Sequence, residues 1–272
     1  MKVHEGHSAG VAAPARAVDL QQAVGQFPQD VSWREGGHAG AMKNQPFDEQ
    51  YYEHSQLAGD RIALRWYARV VRRLRPEGGR LLDFGCGTGH LLKRLSAHFE
   101  AYGYDASPFA RTQCRSTAPD AIILEEWESL PAASLDIVVS LHTLEHVPRP
   151  LPILQGLAGK LVSGGTLFFV VPNPGGLGHQ LKGRGWFAYR DATHVSLLTR
   201  AEWVMLARKA GFEVLRVRGD GLWDAPYVPL LPTAVQRALF GAPAALQVFW
   251  PFGQPFLPPV LSECLIVTAR KH

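Results

Sequence analysis

Three groups of residues in this chain have the types and spacing to do chemistry. The first is Asp83-Phe84-Gly85-Cys86-Gly87-Thr88-Gly89, an acid followed by glycines at every second place. Such glycines let the backbone take φ > 0 and lie against a ligand with no Cβ between them. The helix-like run that follows offers free N–H groups as a polar cradle. The second is Asp105, at the end of Ala101-Tyr102-Gly103-Tyr104-Asp105. It lies about 20 residues beyond the turn, where a carboxylate can accept both hydroxyls of a ribose. The third holds groups that could move a proton: His142, Glu145 and His146 in SLHTLEH, and Asp191 and His194 in DATH. Histidine suits that task because its ordinary pKa lies near neutrality.

The glycine spacing separates two ligand classes. A dinucleotide turn needs glycine at 85, 87 and 90. Position 90 is His90, and the third glycine is Gly89. Asp83 would repel a pyrophosphate and attract an ammonium group. These residues point to a ligand with a ribose and a cation but no phosphates, and S-adenosylmethionine fits that description.

DFGCGTG, followed in order by YGYDAS, LPAASLDIVVSLHTLEHV and LVSGGTLFFVVPNP, resembles the class I S-adenosylmethionine-dependent methyltransferases. It is similar to the branch that includes the ubiquinone-biosynthesis O-methyltransferases. The similarity covers about residues 46–218 and the last strand. It implies an α/β fold: a doubly wound, seven-stranded Rossmann-like sheet, mostly parallel with the last strand antiparallel, and helices on both faces. It also implies S-adenosylmethionine as cofactor. Asp83, Gly85, Cys86, Gly87 and Gly89 would hold its methionine half, with Leu141 and His142 beside them. Asp105 and Ala106 would hold the ribose. Glu126 and the Trp127 backbone would meet the adenine, or Glu125 if the register slips by one.

The same resemblance places the DATH run beside the acceptor. His194 is then the candidate base, oriented by Asp191, with His142 as the alternative. A third reading has Asp191 and His194 merely capping the helix near Thr199. In the ubiquinone enzymes the stretch similar to SLHTLEH carries two acids and a histidine that hold a divalent metal. Here His142 replaces the first acid, and magnesium prefers oxygen ligands. No metal is therefore expected, and Glu145 and His146 are expected to cap or brace the following helix. If a metal did bind, its ligands would be His142, Glu145 and His146. Asn173-Pro174-Gly175-Gly176 is not the motif of nucleic-acid amino-methyltransferases, so no nucleic-acid partner is expected.

The elements that must position these residues alternate. A helix begins near Phe47 and carries Tyr51-Tyr52, placed either by the cofactor or in the core. The next, Arg61 to Leu74, has Ile62, Trp66, Val70 and Leu74 in one row. Arg61, Arg65, Arg69, Arg72 and Arg73 lie off that row, as a solvated face or an anion-binding patch. A first strand is predicted to start at Arg80 and a second to end at Asp105, with further strands over 121–124, 135–140, 166–171, 212–217 and 262–269. Helices are predicted over 107–115, 149–161 and 200–210. Alternation of this kind makes a mostly parallel sheet that binds ligands at the carboxyl ends of its strands.

Residues 1–45 read as a flexible arm, and its His4, His7 and His38 have no metal-ligand spacing. Residues 46–272 read as one methyltransferase domain with insertions over 172–198 and 219–261 that cover the substrate. The second insertion is apolar, and 238–261 holds no charged residue. Its length would pass as a membrane span, but prolines at 243, 251, 255, 258 and 259 argue against one continuous helix. A lid is expected, with possible peripheral membrane contact through 222–261.

The chain has 272 residues, 46% apolar and 19% charged, with a net charge of +4. That suits a globular enzyme and does not call for nucleic acid. Cys86, Cys114 and Cys264 are scattered and odd in number, as for free thiols in a reducing compartment. The first 20 residues lack an uninterrupted apolar core, so a cytoplasmic location is expected. The expected function is methyl transfer to an oxygen of a hydrophobic or amphipathic small molecule. The alternatives are a lipid-linked or glycan acceptor at a membrane surface, and a non-catalytic cofactor-binding partner subunit.

Overall fold

The central strands are apolar at nearly every position, as strands covered on both faces must be. In a computed structural model describing residues 47–54, 59–250 and 255–272, they form one seven-stranded sheet. The strands are β1 (Arg80–Phe84), β2 (Glu100–Tyr104), β3 (Ile122–Ile123), β4 (Leu135–Leu141), β5 (Leu161–Pro172), β6 (Phe212–Gly219) and β7 (Cys264–Lys271). Their spatial order is β3-β2-β1-β4-β5-β7-β6. Pairing is parallel from β3 to β5, whereas β7 runs antiparallel to both β5 and β6. The order reverses between β1 and β4, so a crevice opens there at the carboxyl ends of the strands. Asp83, Asp105 and His142 all lie at that end.

Alternating side chains send each strand into two cores. Leu82, Val138, Phe169 and Val267 pack with Trp203 and Leu157 on one face. Those two come from α7 (Arg200–Lys209) and α5 (Pro150–Lys160). Leu81, Ile137, Phe168 and Ile266 pack on the other face with Trp66 and Leu92. These come from α2 (Ile62–Leu74) and α3 (Leu92–Leu95). Between α3 and α5 lies α4 (Pro108–Thr117), which Ser107 caps by accepting from the Ala110 N–H, and between α5 and α7 lies the short α6 (Leu177–Lys182). Thr199 caps α7 together with Glu202 in a reciprocal box.

Several expected boundaries shift. The third strand shrinks to two residues at the sheet edge. The fifth begins at Leu161, five residues early: Leu161 pairs with Leu135, and a register shift then brings Thr166 opposite Ile137. The proposed arm over 1–45 lies outside the described residues, as do 251–254.

The second insertion departs most from expectation. A helix, α8 (Thr233–Phe249), runs through Pro243. Two fully buried glutamines hold it in place on either side of that proline. Gln236 accepts the N–H groups of Tyr227 (2.5 Å) and Val228 (2.9 Å). Gln247 donates to the Gly219 carbonyl (3.0 Å) and accepts the N–H groups of Phe256 (2.7 Å) and Leu257 (2.9 Å). Pro243 itself is exposed, so its lost backbone bond need not be sealed from water. No helix among the described residues is long and apolar enough to cross a membrane.

Candidate active site

The glycine turn links β1 to α3. The N–H groups of Gly85 (2.7 Å) and Cys86 (2.9 Å) both donate to the Tyr104 carbonyl, which ties the turn to the end of β2. The three glycines have φ of 84°, 51° and 87°, and they do different work. A Cβ on Gly85 would come within 2.0 Å of the Thr143 hydroxyl, and one on Gly89 within 2.6 Å of the Cys114 sulfur. Those two let neighbouring chain approach. A Cβ on Gly87 would meet only a Tyr52 ring carbon at 3.8 Å. Gly87 is thus the point where the turn stays open to a ligand.

Asp105 is the hub of this region. Its Oδ2 accepts the Gly87 N–H (2.9 Å), and its Oδ1 accepts the Ser107 N–H (2.9 Å) and the Tyr52 hydroxyl (3.2 Å). Burial raises its pKa, and these donors pull it back toward the ionised form. Tyr52 comes from the short helix α1 (Glu49–His54). Its neighbour Tyr51 donates to Asp191 Oδ2 at 3.1 Å. The tyrosine pair thus spans from Asp105 to Asp191.

Asp83 is wholly buried, and burial, then the nearby Asp105, push its pKa up to about 8. A ligand with a positive charge complements that pair of acids. Cys86 is buried, with its thiol pushed up by a hydrogen bond with Cys114 and by burial, so it is a filler and not a nucleophile. Ala106 is exposed next to Asp105, and Arg111 donates to both their carbonyls. Glu125 is engaged by Arg111 (2.8 Å) and Arg115 (2.5 Å). That leaves Glu126, which is exposed, for an adenine edge. The Trp127 indole packs edge-on to Phe84 at 5.6 Å and is core. Only its backbone remains a candidate for the adenine.

Beside this region lies a cavity of about 1080 Å³. Its walls come from four places: α1 and α2, the end of β4, the first insertion and the second. His142 and His146 line it from the segment just after β4, and Asp191 and His194 from the first insertion. His142 has φ of 54°, a costly conformation for a non-glycine residue and a frequent mark of functional sites. Half-buried Leu141 precedes it.

The histidines are pinned by backbone. His194 Nδ1 lies 2.7 Å from the Ala188 carbonyl, and His146 Nδ1 lies 3.2 Å from the Thr193 carbonyl. A carbonyl only accepts, so each ring donates from Nδ1, and in the neutral form its lone pair is then on Nε2. Nε2 of His194 faces Asp191 Oδ2 at 3.8 Å. Asp191 Oδ1 in turn accepts the Thr193 N–H (2.9 Å) and hydroxyl (2.5 Å), and its pKa is lowered through those bonds and the nearby histidines, against the effect of burial.

Two expectations are corrected here. Asp191 and His194 do not cap the helix near Thr199, because Thr199 and Glu202 cap it themselves. Glu145 and His146 do not cap the following helix either, since no side chain caps it. The Glu145 carbonyl accepts the Val195 (3.0 Å) and Ser196 (2.8 Å) N–H groups and the His146 ring meets the Thr193 carbonyl, so both hold the first insertion. Sequence reasoning missed Asp220, a buried acid on the cavity wall whose carboxyl burial pushes up to about 6. It sits in an apolar stretch with no motif around it.

The chain matches the methyltransferase domain family over residues 54–217. It belongs to that family. It is 34% identical over 115 residues to a ubiquinone biosynthesis O-methyltransferase of Xanthomonas axonopodis, covering 38% of this chain and 47% of the relative. It is 32% identical over 154 residues to a trans-aconitate 2-methyltransferase of Mycolicibacterium gilvum, covering 54% of this chain and 55% of the relative. The chain thus spans about half the length of these curated relatives. Its fold is that of the S-adenosylmethionine-dependent methyltransferase of Thermotoga maritima described as a possible histamine N-methyltransferase. There the TM-score is 0.56 at 19% identity, covering 82% of this chain and 95% of that one. S-adenosylmethionine is the cofactor of this methyltransferase family, and the open Gly87, the buried Asp105 and the cation-seeking Asp83 fit it.

Among the described residues, the group that could hold a metal is Glu145, His146 and His194, with ligand atoms within 4.8 Å of one another. His194 takes the place that sequence reasoning gave to His142, since only folding brings it alongside. His142 Nδ1 instead sits 3.4 Å from Glu145 Oε1. Two imidazoles and one carboxylate suit a transition metal better than magnesium. The expectation remains that EDTA leaves methyl transfer unchanged. Activity lost in EDTA and restored by zinc or manganese would make this trio the ligands.

Two measurements test the cofactor site. By calorimetry, Asp105→Ala is expected to weaken S-adenosylmethionine binding by about 1.5–3 kcal/mol, the range for hydrogen bonds to a charged group, with no NAD binding in either protein. The affinity should also depend on pH. Asp83 is protonated below a pKa of about 8 in the free protein, and a bound cation favours its ionised form. Binding therefore releases a proton, and affinity should climb with pH until about 8. Asp83→Asn should flatten that climb. An equal slope in both proteins would remove Asp83 from the site.

Proposed function

We propose that this chain transfers a methyl group from S-adenosylmethionine to an oxygen of a hydrophobic or amphipathic small molecule, with His194 as the base. The mixed lining of the cavity carries this reading. It bears His142, His146, His194 and Asp191 together with the apolar Ile62, Trp66, Val248 and Phe249. An acceptor with a polar head and an apolar body matches both. The likeness to ubiquinone biosynthesis O-methyltransferases supports oxygen as the accepting atom.

When bound, S-adenosylmethionine supplies an electrophilic methyl group on its sulfonium. The protein must align an oxygen behind that methyl, exclude water and take a proton. The two insertions close over the cavity and are tied to each other. Asp224 of the second accepts from Lys182 (2.5 Å) and Arg190 (2.9 Å) of the first. Trp186 of the first donates to buried Glu263 at 2.6 Å. The acceptor hydroxyl becomes acidic only as the new bond forms, so the Nε2 lone pair of His194 is the group to receive its proton. Asp191 beside that nitrogen stabilises the imidazolium, and Tyr51 holds Asp191 in place.

The test uses labelled S-adenosylmethionine with cell extract as the source of acceptor. His194→Ala and His194→Gln are each expected to lower label transfer by about 10²–10⁴-fold, with S-adenosylmethionine affinity unchanged. Near-normal transfer in both variants would move the role to His142 or leave the reaction without a base.

A further inference from the structure

Helix α8 is inverted. Its inward side buries Gln236, Ala244 and Gln247. Its outer stripe exposes Val235 (42%), Leu239 (62%), Leu246 (54%) and Phe249 (66%) at helical spacing. Trp250, Phe256 and Leu230 extend the exposed apolar surface beside it. A helix that turns glutamines inward and leucines outward has its outer face matched to something other than water.

The surroundings say what that is. From Ala225 to Ser262 the sequence has no Asp or Glu and one cation, Arg237. Helix α2 lies alongside, joined by Arg69, which donates to the Val248 carbonyl at 3.2 Å. It exposes Arg65, Arg72 and Arg73. Arg61, Ile62 and Phe249 are exposed and also line the cavity, so the mouth opens between the arginine-bearing helix and the apolar one. An apolar stripe flanked by cations is the chemistry of a face that lies in the headgroup layer of an anionic bilayer.

We propose that the outer stripe of α8 and the arginines of α2 form a docking surface for an anionic membrane, against which the cavity mouth takes up acceptors with a lipid-like body. The origin of the acceptor rests on the methyl-transfer reading above, and the docking does not.

The test is flotation of the full chain with vesicles of phosphatidylcholine alone, or of phosphatidylcholine with phosphatidylglycerol. The chain is expected to float with the anionic vesicles and far less with the neutral ones. Leu239→Glu with Leu246→Glu should abolish flotation while S-adenosylmethionine affinity, measured by calorimetry, stays unchanged. Arg65→Glu with Arg72→Glu should remove the preference for anionic vesicles. No flotation of the natural chain with either vesicle overturns the proposal, as does flotation that persists in the leucine variant. A dimer in sedimentation velocity that the leucine variant dissolves, without vesicle binding, would also overturn it and make the stripe a subunit interface. Failed flotation with label still transferred to soluble acceptors leaves the methyl-transfer reading standing. Absent S-adenosylmethionine binding strikes that reading alone.

Discussion

Two carboxylates, Asp83 and Asp105, are held out of water side by side at the ends of β1 and β2, and much of the site is arranged around them. Burying one acid is costly, and burying a second beside it raises the pKa of the first. Asp105 is offset by donors: the Gly87 and Ser107 N–H groups and the Tyr52 hydroxyl. Those bonds join the glycine turn, the start of α4 and α1 into one unit. Asp83 has no such set of donors acting on its pKa. What it wants is a cation, and the ligand that fits the neighbouring turn carries one.

Around that unit the structure is a sheet packed on both faces and a cover that lines the cavity. The sheet sets its strand ends by apolar packing on both faces, so Asp83, Asp105 and His142 are placed by the core. The cover consists of two insertions with few apolar contacts in common with that core. They are fastened by ion pairs and buried hydrogen bonds, including Lys182–Asp224–Arg190 and Trp186–Glu263. Such bonds are directional, so the cover has a defined shape despite its proline and glycine content. In α8 the same device is carried further: hydrogen bonds from two glutamines hold the helix to the body, and its leucines are left to face outward.

The histidine group on the cavity wall joins residues far apart in the chain. Tyr51, His146, Asp191 and His194 converge because the Glu145 carbonyl captures the backbone of Val195 and Ser196. One pair of backbone bonds thereby brings two imidazoles to a ring separation of 4.7 Å. The result is a compact group in which each ring offers Nε2, and in which a proton or a metal would find the same partners.

The sequence by itself determined the sheet, the ligand class and the cofactor turn. Those rest on local rules: strand runs buried on both faces, glycine where φ is positive, and an acid at a set distance along a βαβ unit. It also put forward Asp105 and, through the resemblance of the DATH run, His194 as candidates, and folding brings His194 to the cavity wall. Only the tertiary structure decided which groups meet. That Glu145 and His146 anchor the first insertion, that Glu125 is engaged by arginines, and that Trp127 is core depend on partners distant in sequence or on packing around them. Asp220 was invisible because an acid in an apolar stretch carries no motif until burial shifts its pKa. The helix through Pro243 was hidden for a related reason. Local propensity opposes it, and what overrides that propensity is a set of hydrogen bonds from Gln236 and Gln247 to backbone that folding brings alongside.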